Sequence, residues 1–512
     1  LPIDSAVRVA RGTHGMVASG HARGTDAALR VLEGGGNAVD AAVAAALVLA
    51  VVAPYATSLG GELFALVYDP ATQQTIGLNG SGCSPAATEP GEQPRNGPRS
   101  ATVPALVRAL HDLWARYGTQ PWASLVAPAI VLASDGFDVH ATLADNTRER
   151  AQLLAGDPAA SALFLPGGEP LAAGARFMQP DLAVTLGVVA GGADAFYEGR
   201  FAQRLAAGAA AAGAVLTAAD LADHESLWQT PLCVPFYGRE VWSMPPNSYG
   251  PTLLLQLLDL AAMQIAAIDP NDPAFIDAGI EARRRAYAAA APWIADPRQT
   301  EAKAAAFIAA AVERLGYDVP GERPAEPRDR CTTNAIVVDA RGLAVSLVES
   351  VSAPYGAGVV VPGTGVLLNN RLAGFGKKPG GANAAAPRKR PANTLAPCIV
   401  TRQGELVMSL GTPGTVGQTC TLAQFLARTL AHGEDLATAA AAPRWSVDFE
   451  GRPIVEDTMA APLRDAVLAR HSGARVMPAG WISFGSIKLA AVTPAGYEGV
   501  ADSRRAATTA GF

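Results

Sequence analysis

The stretch Cys331-Thr332-Thr333-Asn334-Ala335-Ile336-Val337-Val338-Asp339 sets a hydroxyl pair at the head of a β-type apolar run. Directly before it, residues 321–330 read GERPAEPRDR, with six charged residues and interspersed proline. Such a segment cannot bury apolar area and is predicted to be an exposed loop, open to cutting. A cut before Thr332 would leave a chain start bearing a free α-amine and a hydroxyl on one residue. That is a nucleophile with its own general base, the N-terminal threonine form of hydrolytic catalysis. Cys331 would be the nucleophile if the cut fell one residue earlier, since thiols attack well. Otherwise Cys331 supplies the carbonyl that the Thr332 hydroxyl attacks during self-cleavage. An ester forms and water opens it, giving a large segment, 1–331, and a small one, 332–512.

The elements that must hold these groups are legible nearby. Asp339-Ala340-Arg341-Gly342 reads as a tight turn between strands at 333–338 and 343–350. A hairpin centred there sets Thr332 opposite residue 349 or 350 and brings the Ser350 hydroxyl within reach of it. A plain core hairpin carrying two surface hydroxyls is the alternative. A second hairpin is predicted from 398–401 and 406–410 around Arg402-Gln403-Gly404. It runs into Gly411-Thr412-Pro413-Gly414 and a helix from about Thr415 to Leu430. A strand, glycine-rich turn and helix leave backbone N–H groups pointing outward at the helix start, where they suit a developing negative oxygen. A simple helix cap is the competing explanation.

Composition fits a large enzyme of α+β class. The chain has 512 residues, 49% of them hydrophobic, and a net charge of −6, which argues against nucleic acid as a partner. Helix-rich stretches are expected at 103–153 and 251–315. The longest apolar run, Ala41–Ala53, is too short to span a bilayer and is predicted to be a buried helix. It lies too far in for a signal-peptide core, so no membrane partner and a cytoplasmic location are expected. Five cysteines lack CxxC spacing and seven histidines lack an HExxH pair, so neither a disulfide framework nor a metal site is predicted. His14, His21 and His224 are assigned to structure or surface.

Short motifs follow one another along nearly the whole chain: Gly35-Gly36-Asn37-Ala38-Val39-Asp40, Leu59-Gly60-Gly61, Pro128-Ala129-Ile130, Phe196-Tyr197-Glu198-Gly199, Met244-Pro245-Pro246, then Thr332-Thr333, Leu367-Leu368-Asn369-Asn370, Lys389-Arg390-Pro391, Gly411-Thr412-Pro413-Gly414 and Ala501-Asp502-Ser503-Arg504-Arg505. In this order they resemble the γ-glutamyltranspeptidase family. The resemblance implies a four-layer αββα sandwich of the N-terminal nucleophile type and no cofactor. It also implies a self-cleaved, intertwined αβ unit, single or paired, acting on a small-molecule amide. It assigns Thr332 as nucleophile, Ser350 as the residue that orients its hydroxyl, and the N–H groups of Gly414 and Thr415 as the oxyanion donors. The family has two glycines at the last pair, so Thr415 departs from it. Asn370, Ser352, Asn393 and Thr394 fall at substrate-binding positions.

Recognition of the substrate is where the chain leaves the pattern. The arginine with which glutamyl-specific members hold the substrate carboxylate falls near Pro85-Ala86-Ala87-Thr88-Glu89, where Glu89 or a neighbour replaces it. Their aspartate for the substrate amine falls at Gly374, and a glutamine position has become Arg371. Each lost charge-assisted contact is worth about 1.5–3 kcal/mol, so losing both weakens γ-glutamyl binding by about a hundredfold or more. Arg371 is expected either to grip an anionic group beside the scissile bond or to form a structural salt bridge with a nearby acid. A small carboxylate-bearing amide resembling oxamate is the expected substrate. γ-Glutamyl hydrolysis or transfer, a cephalosporin-acylase-like activity and a C–C-cleaving branch are the alternatives. A non-catalytic, uncleaved scaffold is the alternative of another class.

Overall fold

The computed structural model describes residues 7–314, 316–319, 331–377, 379–448 and 450–512. The charged segment 321–330, expected to be an exposed loop, lies outside the described residues.

Two seven-stranded sheets form the centre. The first runs in the order Thr508–Gly511, Gly15–Ser19, Cys331–Asp339, Ala344–Ser352, Glu62–Asp69, Gln74–Gly80 and Leu227–Gln229. The second runs Arg8–Gly12, Gly496–Ala501, Lys488–Thr493, Glu405–Gly411, Cys398–Arg402, Arg239–Ser243 and Leu232–Phe236. All their pairings are antiparallel. Each sheet takes strands from both sides of the 331–332 bond, so the two segments are intertwined.

Side-chain alternation along the strands separates the layers. Ile336, Val338, Phe64, Leu66, Val348, Ile399 and Ala490 meet between the sheets. Ala335, Val337, Val345 and Leu347 face the other way, against helices Ala22–Glu33, Ala38–Val52, Leu106–Tyr117 and Trp122–Asp135. Leu410, Val400, Leu489 and Val241 turn outward onto helices Gly250–Ala262, Pro273–Ala290 and Gln418–Leu426. The result is the expected αββα sandwich.

The apolar run forms helix Ala38–Val52, buried along all 15 residues. It opens with a reciprocal cap: the Asn37 side chain accepts from Val39 and Asp40 N–H, and Asp40 accepts from Asn37 N–H. Asp339 ties this helix to the first hairpin. One carboxylate oxygen accepts from Arg341 and Leu343 N–H across the turn, and the other accepts from Ala38 N–H at the helix start. An acid is needed there because backbone donors from two elements converge on it. Strand Cys331–Asp339 extends beyond both predicted ends, and Ala344–Ser352 starts one residue later and ends two residues later than predicted. After the second hairpin, Thr415–Gly417 is a single 3₁₀ turn, the α-helix covers Gln418–Leu426, and Ala427–Ala431 continues as π-helix.

Candidate active site

Thr332 opens the buried strand of the first hairpin and is 3% exposed. It and Asn334 continue the row of Ile336 and Val338 that faces the second sheet. The Thr332 hydroxyl and both ends of the Asn334 amide have no hydrogen-bond partner among the described residues. Unpaired buried polar atoms are costly, about 1–3 kcal/mol each, and mark a place built for something other than stability.

The cross-strand register shifts here. Cys331 pairs with Ser352 and Thr333 with Glu349, so Ser350 and Val351 together face Thr332. This bulge re-aims Ser350. Its hydroxyl donates to the Cys331 carbonyl oxygen at 2.5 Å and accepts from Ser352 N–H at 2.7 Å. The expectation that Ser350 holds the Thr332 hydroxyl is therefore corrected for the continuous chain, in which Ser350 holds the Cys331 carbonyl instead. Ser352, 2% exposed with φ 81°, closes the bulge in the left-handed region, a strained setting for a residue with a side chain. Burial pushes the Cys331 thiol up, which keeps it protonated and weakens its case as nucleophile.

Strand Glu405–Gly411 ends against this row. A Cβ on Gly411 would lie 3.0 Å from the Asn334 amide nitrogen. Gly414 follows at φ 141°, its Cα face against the Gly485 backbone, and Thr415 sits at φ 55°. Neither residue's N–H enters a turn or cap hydrogen bond among the described residues, as oxyanion donors require. A β-branched residue at positive φ costs about 1–2 kcal/mol, a physical reason for the glycine that Thr415 replaces. The Thr415 and Thr394 hydroxyls, both buried, also lack partners among the described residues. The Gln418 amide, oriented to donate, lies 3.2 Å from the carbonyls of both Thr394 and Thr412 and joins these two stretches of backbone.

Arg371 is not the open cation that gripping a substrate requires. It is fully buried, and its Nε meets a carboxylate oxygen of Glu62, itself fully buried. The salt-bridge expectation is the one realised. Glu62 stands directly across from Ser350 in the neighbouring strand. Asn393 donates to Glu62 at 2.8 Å and Gly82 N–H reaches its other oxygen at 3.4 Å. Burial pushes the Glu62 carboxyl up while the guanidinium beside it pulls back. The two terminal nitrogens of Arg371 have no hydrogen-bond partner among the described residues.

Two further sequence assignments change. Asn370 spends its amide on backbone, accepting from Ala353 N–H at 2.8 Å and donating to the Arg95 carbonyl at 2.6 Å. It braces the turn after Ser352 instead of presenting a hydrogen bond to substrate. Glu89 is exposed on the wall of a cavity of about 220 Å³ shared with Glu92, Arg99 and Leu372. The carboxylate beside the candidate nucleophile is Glu62, next to the Leu59-Gly60-Gly61 motif. An acid directly after that glycine pair was the available signal. No group of three His, Cys, Asp or Glu side chains converges among the described residues.

Comparison with known proteins agrees with this geometry. The profile of the gamma-glutamyltranspeptidase family matches residues 24–512. The chain is 34% identical over 451 residues to the glutathione hydrolase-like YwrD proenzyme of Bacillus subtilis, covering 85% of each. It is 34% identical over 452 residues to the oxamate amidohydrolase proenzyme of Klebsiella pneumoniae, again covering 85% of each. The crystal structure of a cephalosporin acylase from Bacillus halodurans superposes with a TM-score of 0.88 at 27% identity, over 100% of this chain and 98% of that one. The chain is a hydrolase with the N-terminal nucleophile fold and belongs to the gamma-glutamyltranspeptidase family.

Proposed function

We propose that the chain cuts itself between Cys331 and Thr332 and then uses Thr332 to hydrolyse a small carboxylate-bearing amide. The observation that carries this reading is the 2.5 Å bond from Ser350 to the Cys331 carbonyl, set next to a buried threonine hydroxyl with no partner among the described residues. The donor polarises the carbonyl that this hydroxyl would attack. Once cut, Thr332 carries an α-amine that takes the proton from its own hydroxyl, and Gly414 and Thr415 supply donors to the substrate oxyanion.

The substrate class is read from the Glu62–Arg371 pair. Arg371 is fully buried and spent on Glu62, next to the strand that carries Ser350, so the pair offers no open clamp for the α-carboxylate and α-amine of a glutamyl group. The Glu62 oxygens already take Asn393, Gly82 and Arg371, so they are poorly placed to hold a substrate amine as well. Gly374 offers no side chain for one. These features favour a small acid amide over a γ-glutamyl compound, in line with the likeness to an oxamate amidohydrolase. Hydrolysis is favoured over transfer because nothing among the described residues identifies a site for a second, acceptor substrate.

Thr332→Ala tests the reading: one uncut chain with no turnover is expected, and cleavage persisting in that variant would overturn it. Ammonia release from oxamate, measured beside hydrolysis of a γ-glutamyl anilide by the wild-type protein, tests the substrate class. Faster turnover of the anilide would reverse it.

A further inference from the structure

Self-cleavage faces a difficulty that later turnover does not. Before the cut, the Thr332 nitrogen is a peptide nitrogen with no basicity, so another group must take the proton from the attacking hydroxyl. The buried acids near the strand start are poorly placed for this. Glu62 is bound to Arg371. Glu349 belongs to the row of Val345 and Leu347 that faces the helices, where it accepts from Thr57.

Lys488 is differently placed. It opens strand Lys488–Thr493 and pairs across the sheet with Gly411, the residue that abuts Asn334. Its strand alternates with Ala490 between the sheets and Leu489 and Ala491 outward, so Lys488 shares the inward row. Ala490 packs with Ile336 and Val338. One step along each row toward the open end, Lys488 corresponds to Asn334 and Thr332. The lysine is 1% exposed, and its one side-chain hydrogen bond among the described residues runs from Nζ to the Ser486 carbonyl at 3.1 Å. No carboxylate among the described residues forms an ion pair with it. Asp502, the acid it faces, is committed to Arg444 and Arg504. The other charged or titratable groups facing it are Arg505, Arg444 and the Cys331 thiol. Burial, reinforced by Arg505, brings its ammonium down to about 7, so a large fraction is free amine at neutral pH.

Accepting self-cleavage at Thr332 as proposed above, we infer that Lys488 is the proton acceptor for that step. The Thr332 hydroxyl proton passes to the Lys488 amine as Oγ bonds to the Cys331 carbonyl carbon, and Ser350 donates to the oxygen that becomes negative. The C–N bond then breaks and the lysine ammonium returns its proton to the leaving Thr332 nitrogen. Water opens the resulting ester, leaving a Cys331 carboxylate, the Thr332 hydroxyl and a free α-amine.

The test uses full-length precursor made by brief cell-free translation and shifted to buffers from about pH 5.5 to about pH 8.5. Appearance of the 332–512 chain is followed on denaturing gels. The wild-type rate is expected to rise through a midpoint near 7 and then level off, because only the neutral lysine accepts a proton. Lys488→Arg keeps the charge but cannot take a proton, and Lys488→Met keeps the volume. Both are expected to cleave about a hundredfold more slowly or worse, without the plateau. Either variant cleaving within about threefold of wild type would overturn the assignment. Should both fail to fold, as judged by thermal unfolding, the wild-type profile decides: a flat profile overturns the role. Failure of this idea is distinguishable from failure of the parent reading, since cleavage in Thr332→Ala removes both whereas fast cleavage in Lys488→Arg removes only the lysine.

Discussion

Ser350→Ala removes one hydroxyl that makes two bonds, and each has a separate consequence. The bond donated to the Cys331 carbonyl at 2.5 Å exists before any reaction, so only its strengthening as the oxygen becomes negative contributes to rate. A neutral hydrogen bond is worth about 1 kcal/mol net and one to a charged oxygen about 1.5–3 kcal/mol. The difference, about 0.5–2 kcal/mol, corresponds to cleavage slowed by about two- to thirtyfold. That is less than the hundredfold or more lost with a donor that engages only in the transition state. The bond accepted from Ser352 N–H at 2.7 Å affects stability instead. Its loss strands a buried donor at a cost of about 1–3 kcal/mol. Ser350→Thr restores a hydroxyl on a β-branched residue suited to a strand and should recover most of both effects. The assay is the rate at which the 332–512 chain appears on denaturing gels, with its first residue identified by mass spectrometry. Cleavage at the wild-type rate in Ser350→Ala would refute the argument that this hydroxyl polarises the scissile carbonyl.

Two other perturbations probe the buried charges. Glu62→Gln leaves Arg371 without its counter-ion in a fully buried site and should cost about 3–5 kcal/mol, whereas Glu62→Met with Arg371→Met should recover most of that loss. Urea midpoints that show the double variant losing the sum of the single losses would count against an ionic pair. Glu349 is buried with one carboxyl oxygen lacking a partner among the described residues, and burial holds its carboxyl well above the usual range. A raised folded value means that stability is full below the unfolded value, about 4.3, and is lost as pH rises toward the folded one. Glu349→Gln should therefore raise the thermal midpoint near neutral pH and change it little near pH 4; an equal shift at both would refute the assignment.

Much of the fold was legible because its signals are local. The Asp339–Gly342 turn and the alternation on either side of it locate the first hairpin. The glycine-flanked strand end at Gly411 locates the second. The 15-residue buried helix follows from an unbroken apolar run behind an Asn37–Asp40 cap. What resisted reading depends on partners distant in sequence. Whether Arg371 grips an anion or pairs with an acid stays open in the sequence until Glu62, carried by the strand that pairs with Ala344–Ser352, supplies the counter-charge. The role of Ser350 turns on a one-residue bulge, which alternation does not encode. Asn370 sits at a substrate-binding position of the family pattern, yet its amide is consumed by backbone groups at 95 and 353. Lys488 lies in no motif that the sequence singles out, and only the stacking of the two sheets gives it meaning.

The unpartnered hydroxyl of Thr332 also bears on how one site performs two reactions. On the proposed reading, the first attack goes toward the Cys331 carbonyl, whose oxygen Ser350 already holds. Later attacks go toward a separate substrate, whose oxygen must meet the N–H groups of Gly414 and Thr415 in the turn that follows strand Glu405–Gly411. The oxyanion donors for the two reactions thus stand on different elements, and the same oxygen must reach both carbonyl carbons. A hydroxyl fixed by a strong acceptor would be oriented for one attack at the expense of the other. Leaving it unbonded in an otherwise close-packed interior costs about 1–3 kcal/mol, a penalty that stability alone would select against. Asn334, Thr394 and Thr415 carry buried unpaired groups as well among the described residues, at a similar cost.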